Sequence, residues 1–335
     1  MANNNDIRND LVALPLQNIS LAYKAPGLVW NRVAPTIDLA SPKAKITKWN
    51  KGDSFRNRAG LYVAGTRPTR IDVESSYVDV ATVLRGAEAV ITEGELAASE
   101  NPGAPTMSLL QDKTEFANRA LDLDIEKRLF DVINATALSG QSAGGEDAQG
   151  LWSPVGNTNT FITDVIARKA TIQTSTGCDP SQLSLLIDFK TFDAARRCDE
   201  VRGWYQSNFG AAGQVSEANL AALLGIKEVV VASAMINTDG KKADGTDATM
   251  APIWSVNTTK GMGLLYYAET APGLRKASAF YHARNMVMKS GLYRATYGYS
   301  DGPTHVSNII QVFEDSVDVV CAADLAFMWK DTNAD

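Results

Sequence analysis

The sequence predicts an α+β protein of two interleaved domains, one built on a long helix and one of mixed α/β character, carrying two long projections. Three observations support this. A proline-punctuated start cannot form one long helix. The basic ribbon that follows alternates apolar and polar residues as a half-exposed strand does. A long helical stretch then separates this ribbon from alternating helices and strands, which end in a β-rich tail.

Residues 1–42 form the first projection. Short apolar clusters (Leu11, Val12, Leu14; Leu28, Val29, Trp30) lie between Pro15, Pro26, Pro35 and Pro42. Proline removes a backbone donor and fixes φ, so an extended N-terminal arm is expected. Its Leu, Val and Trp side chains need cover from another surface, of this chain or of a neighbour.

Residues 43–87 read as a long β-hairpin. One limb holds Ile46, Trp49, Phe55 and Tyr62, and the return limb runs Ile71-Asp72-Val73-Glu74 and Tyr77-Val78-Asp79-Val80. Gly60, Gly65 and Pro68 supply turn chemistry near the tip. A lone two-stranded ribbon is marginal in water, so this one is expected to lie on something.

Its charge suggests what. Lys43, Lys45, Lys48, Lys51, Arg56, Arg58, Arg67 and Arg70 are opposed locally only by Asp53. Acids follow at Glu88, Glu93, Glu95, Glu100, Asp112, Glu115, Asp122, Asp124, Glu126 and Asp131. Such self-complementary charge favours docking between copies over nucleic-acid binding or a merely solvated face. The candidate inter-subunit contacts are therefore Trp30, the eight basic residues, and Glu93, Glu95, Asp112, Glu115 and Asp122.

Residues 88–155 carry the strongest helix signal, over 108–139. Ser108 and Gln111 form a capping box, and Gly140 is the expected stop. Leu109, Phe116, Leu123 and Phe130 recur every seven positions, while Leu121, Ile125, Leu129 and Ile133 recur every four. At about 100° per residue these stripes lie on nearly opposite sides, so the helix should be covered twice.

Residues 156–275 read as α/β. A helix runs from Thr160 to a stop at Gly177, then a buried strand Leu183–Ile187 and a helix through Phe192, Ala195 and Cys198. Ser216 caps a third helix ended by Gly225, and Val229–Ala234 and Gly263–Tyr267 are strands. In residues 276–335, Met286–Met288, Tyr293–Tyr297, Ile309–Phe313 and Val317–Val320 read as strands returning to the long-helix domain.

Little here suits catalysis. The chain has 335 residues but two histidines, and its formal charge of −6 is unlike a dedicated DNA-binding protein. Cys178, Cys198 and Cys321 are odd in number and lack CxxC spacing, which fits a reducing cytoplasm. The start MANNNDIRND is not a secretory signal, and no apolar run reaches membrane-spanning length. There is no HExxH, no GxSxG and no phosphate loop. Gly261-Met262-Gly263 lacks the third glycine of a dinucleotide fingerprint, and Asp239–Asp247 lacks the ligand pattern of a calcium loop. His282 and His305 read as structural or surface residues, and Cys198, after Arg196-Arg197, as a packed thiol. No cofactor or metal site is expected.

The order of parts resembles a tailed-bacteriophage major capsid protein of the Hong Kong 97 fold. Arg32-Val33-Ala34-Pro35 resembles the motif leading to that family's extended loop, and Lys51-Gly52-Asp53-Ser54-Phe55-Arg56 is similar to elements of the loop. Leu220 to Val231, then Trp254 and Leu264-Leu265-Tyr266-Tyr267, resemble its axial domain. Ser307-Asn308-Ile309-Ile310 through Asp318-Val319-Val320 to Asp324-Leu325-Ala326 resemble the closing strands of its peripheral domain.

The resemblance implies an arm, an extended loop, a peripheral domain with a spine helix, and an axial domain meeting at fivefold and sixfold axes. It implies pentamers and hexamers in an icosahedral shell, assembled in the host cytoplasm around double-stranded DNA that the shell contacts weakly and non-specifically. The chain starts almost directly with the arm, so any scaffold is expected as a separate protein, beside portal and decoration proteins. No lysine–asparagine cross-link is assigned. Other readings remain: an encapsulin-type nanocompartment shell, a cytosolic α/β enzyme using region 160–270, and a nucleic-acid module on the basic ribbon.

Overall fold

The computed structural model describes residues 27–49, 57, 64–65, 67, 74–92, 94–95, 109–152, 159–209, 215–238, 249–256, 260–286, 293–300 and 307–333. Its first sheet is organised by one long strand. β13 (Ser307–Val320) pairs antiparallel with β4 (Val83–Thr92) from Ser307↔Thr92 to Ser316↔Val83. Its other side is shared by β12 (Arg294–Ser300) along the first half and β11 (Phe280–Asn285) along the second. β1 (Thr36–Leu39) then adds to β11 in parallel.

The sequence suggested two strands where β13 is one. The polar residues between them, Glu314 and Ser316, are buried, and Glu314 is bonded to neighbouring strands instead of turning to water. Met286 follows β11 without joining a strand, and Val287 and Met288 lie outside the described residues.

Across this sheet lies helix α2 (Leu109–Ala135), packed on β4 and β13. It ends five residues before Gly140, whose φ of +79° serves a later turn. Ser108 lies outside the described residues. The two apolar stripes differ in fate. Leu121, Ile125, Leu129 and Ile133 are buried, as are Leu109 and Phe130 of the other stripe. Phe116, however, is exposed and Leu123 only half-buried, so the second stripe is covered at its ends and open between them.

The second sheet has the order β5-β14-β10-β6-β7. β6 (Leu183–Asp188) runs parallel to β7 (Glu228–Ala232) and antiparallel to β10 (Met262–Tyr267). β14 (Ala326–Lys330) pairs antiparallel with β10 on its other edge, and β5 (Glu146–Asp147) closes that side. Here the structure differs from the expected division of the tail. The run Ala326-Phe327-Met328-Trp329 is buried, and it completes the α/β sheet rather than the first one. A strand as apolar as β10 needs cover on both edges and faces.

Four helices flank this sheet, each with local grammar. α3 (Phe161–Thr176) stops at Gly177 in the left-handed region, φ +71°. α4 (Phe189–Arg197) is capped by Asp188, which accepts from the Lys190 and Thr191 N–H groups, and α5 (Asp199–Phe209) follows directly. α6 (Glu217–Leu224) runs from a Ser216 cap, which accepts from Asn219 N–H, to Gly225. Trp152, Trp254, Phe161, Tyr266 and Phe327 fill the core between these layers. A short β8 (Met235–Asn237) and β9 (Met250–Pro252) hairpin stands apart.

The two projections leave from the first sheet. β2 (Lys43–Trp49) and β3 (Ser75–Ala81) form the hairpin stem, registered Lys43↔Ala81 to Trp49↔Ser75. After Thr82 the return limb continues as β4, so the hairpin is rooted in the main sheet. The arm is not extended throughout. Trp30–Val33 forms a single helical turn, α1, before Pro35, and Val29, Val33 and Ala34 are buried in this chain's own core. Residues 1–26 lie outside the described residues.

Candidate functional site

On the hairpin stem, Lys43, Lys45 and Lys48 are all exposed along β2. Lys45 faces its cross-strand partner Asp79 at 3.7 Å, and its ammonium lies 5.8 Å from the Tyr77 ring. Pairs this exposed contribute little stability, so the basic face stays available to a partner. Arg67 is also exposed. Lys51, Arg56, Arg58, Arg70 and Glu93 lie outside the described residues.

The candidate acids are arranged differently from the sequence expectation. Asp122 receives Arg294 at 2.8 Å, and Glu95 pairs with Lys113 at 3.3 Å while accepting from the Thr92 N–H. Asp124 and Asp131 pair with Arg128 and Lys127 one turn along α2. Asp112 is half-buried and Glu115 exposed. Much of the acidic stripe is thus neutralised within its own subunit, by Arg294 of β12 and by Lys113, Lys127 and Arg128 of α2 itself.

The signal that sequence reasoning missed is apolar. Tyr77 on β3, Val83, Leu84 and Val90 on β4, and Phe116 on α2 are exposed. β4 pairs with β13 on one side only among the described residues. Unpaired strand edges with exposed aliphatic side chains are sites where another chain adds. The seven-residue stripe containing Phe116 was the available clue.

Trp30, expected as an inter-subunit contact, lies half-buried on its own chain, its ring 4.9 Å from that of His282. His282 is 1% exposed and holds Asp318 at 2.8 Å through Nδ1 and Glu314 at 3.1 Å through Nε2. An ionised carboxylate can only accept, so a carboxylate at each ring nitrogen favours a proton on both and hence the cationic imidazole. Burial works against that charge, but the two carboxylates outweigh it and raise the His282 pKa. Glu314, bonded to His282 and Arg294, is held down at about 2 despite its burial. The cluster is structural: each ring nitrogen is committed, leaving no base for a substrate.

The hairpin root covers a cavity of 480 Å³ lined by Ile46, Lys48, Cys178, Tyr267, Cys321 and Leu325, among others. Burial pushes the Cys178 thiol up to about 11 and that of Cys321 to about 12, far from reactive thiolates. Among the described residues no group of three His, Cys, Asp or Glu could hold a metal ion. No described helix is long and apolar enough to cross a membrane.

No protein-family profile matches the sequence, and no curated protein does. Solved structures do match, over nearly the whole chain. A phage-related protein from Bordetella bronchiseptica superposes with a TM-score of 0.65 at 18% identity, covering 96% of this chain and 97% of that one. The capsid of cyanophage P-SCSP1u gives 0.57 at 13%, covering 90% and 87%. An encapsulin complex from Synechococcus elongatus gives 0.53 at 9%, covering 92% and 89%. The chain has the Hong Kong 97 capsid fold.

Proposed function

We propose that this chain, built on the capsid fold, is the major capsid protein of a tailed phage, a structural protein and not an enzyme. Copies would assemble as pentamers and hexamers into an icosahedral head around double-stranded DNA. The observation that carries this reading is the match to a phage capsid over most of both chains, 90% of this one and 87% of that one. The exposed apolar residues of β3, β4 and α2 support it, as surface that a neighbouring copy can cover.

In this reading the hairpin's basic face and the open β4 edge meet neighbouring subunits, and many weak contacts sum through multivalency. The formal charge of −6 suits a wall that contacts packaged DNA weakly. Assembly would take place in the host cytoplasm, with scaffold, portal and decoration proteins as separate chains. The encapsulin match favours a second reading, a nanocompartment shell with a protein cargo.

Expression followed by negative-stain microscopy and size exclusion tests the proposal. Uniform shells, or rings of five and six copies, are expected. A well-behaved monomer at high concentration refutes it. Nuclease-resistant DNA in particles from infected or induced cells separates a phage head from a nanocompartment. Reversing Lys43, Lys45 and Lys48 to Glu should weaken assembly and its salt response; unchanged assembly would remove the basic face from the mechanism.

A further inference from the structure

Glu126 sits on α2 among acids that mostly pair with nearby cations, yet its partners are of another kind. Its side chain is fully buried. Both carboxylate oxygens accept from the Val29 N–H at 3.1 Å, and Oε2 also accepts from the Trp30 N–H at 2.8 Å. Oε1 accepts from the Trp254 indole N–H as well. Three donors from two distant segments therefore converge on one group. Val29 and Trp30 form the root of the arm, Trp254 belongs to the α/β half just after β9, and Glu126 itself belongs to the long-helix half.

We propose that Glu126 is a positioning residue that couples docking of the arm root to closure of the α/β domain on α2. The arm root is then fixed only when both domains are in place, which directs assembly of the shell; this last clause rests on the shell reading above.

Three features of the site support the coupling. First, α1 has no side-chain cap of its own, since its N-cap residue is Val29. The opening N–H groups of a helix have no internal partner, and here a carboxylate from another element supplies it. Second, every neighbour within bonding reach is a donor, so the site demands an acceptor-only group. Glutamine would turn an NH₂ toward an N–H and lose half of the contacts. Third, burial pushes the Glu126 carboxyl above the ordinary carboxylate range, its three donors offset that rise only in part, and Asp122 one turn away adds repulsion. A buried charge of this kind depends on its complete donor set. Removing the Trp254 donor therefore weakens what holds Val29 and Trp30, although Trp254 touches neither through this bond. Coupling of this kind is reciprocal.

The experiment is amide exchange on the full-length subunit, comparing wild type, Glu126→Gln, Trp254→Phe and the double variant. Protection of the Val29 and Trp30 amides should fall about tenfold or more in each single variant, the loss of roughly one charge-assisted bond. Amides of β6 and β10 should be unchanged. The double variant should resemble Glu126→Gln alone, because both changes break one network. Arm-root protection untouched by Trp254→Phe, or losses that simply add, would overturn the coupling. Should a variant fail to fold, the wild type still decides. Its Val29 and Trp30 amides and the Trp254 indole N–H should exchange through one common opening, and protections that differ by more than about tenfold refute it.

Shell yield by microscopy is the second readout and should fall with arm-root protection. Loosened roots with wild-type yield would overturn the directing role. If wild-type protein itself forms no particles, the shell reading fails and takes that role with it, while the exchange data still judge the coupling.

Discussion

Replacing His282 with glutamine tests the buried charge cluster at the centre of the first sheet. The imidazolium lies between Asp318 and Glu314, whose side chains are 1% and 7% exposed. Removing one partner of a buried ion pair costs about 3–5 kcal/mol, because the remaining charge is left uncompensated. The lower end applies here. Glu314 keeps Arg294 at 2.6 Å, Asp318 keeps Arg128 at 3.5 Å, and the new amide can donate to one carboxylate. We therefore expect a loss of about 3 kcal/mol, read by urea denaturation of unassembled subunits at pH 6.

The same residue predicts a pH dependence whose sign follows from linkage. Its folded pKa is raised above the ordinary histidine value. Its contribution is thus fully present below about pH 6.5, and it is lost as pH rises through the folded pKa. Between those values wild-type stability should decline by up to about 1.4 kcal/mol per pH unit from this group. Below about pH 8 the thiols of Cys178 and Cys321 are protonated in both the folded and the unfolded chain and add nothing. Above it their raised folded values add a decline of their own, so the comparison is made below about pH 8. His282→Gln should flatten the profile. An equal decline with pH in wild type and variant would refute the assignment of a buried imidazolium.

Three further outcomes are expected. In Gly263→Ala the new methyl would lie 2.7 Å from the Trp152 ring, and thermal melts should show a destabilisation of about 1–3 kcal/mol from overpacking. Gly203→Ala, inside α5 with nothing within 4 Å of the added carbon, should instead stabilise by about 0.5–1 kcal/mol and raise Tm. Native protein treated with a thiol reagent near pH 8 should react slowly and at Cys178 first, since Cys198 and Cys321 are buried; mass spectrometry of the labelled peptides decides.

Local signals proved legible where a segment carries its own instructions. Ser216 and Gly225 mark both ends of α6, and Gly177 ends α3, because cap chemistry needs only neighbouring backbone groups. The strands β6, β7 and β10 announced themselves as apolar runs. The basic face of β2 was equally readable, since exposed lysines need no partner. The acids were not. Nothing near Asp122 in sequence reveals Arg294, which reaches it across the sheet, so its availability to a neighbour was overestimated.

The sequence by itself determined an α+β chain with a basic hairpin stem and a long helix. Those properties follow from short-range periodicity, proline and residue counts. Only the tertiary structure decided that β13 is a single strand, that the last strand joins the α/β sheet, and that His282 is buried between two carboxylates. It alone showed Glu126 gathering donors 97 and 128 positions away. The physical reason is common to all four. A buried polar group needs its hydrogen bonds and an apolar strand needs cover, and chain topology rather than adjacency chooses the partners that supply them.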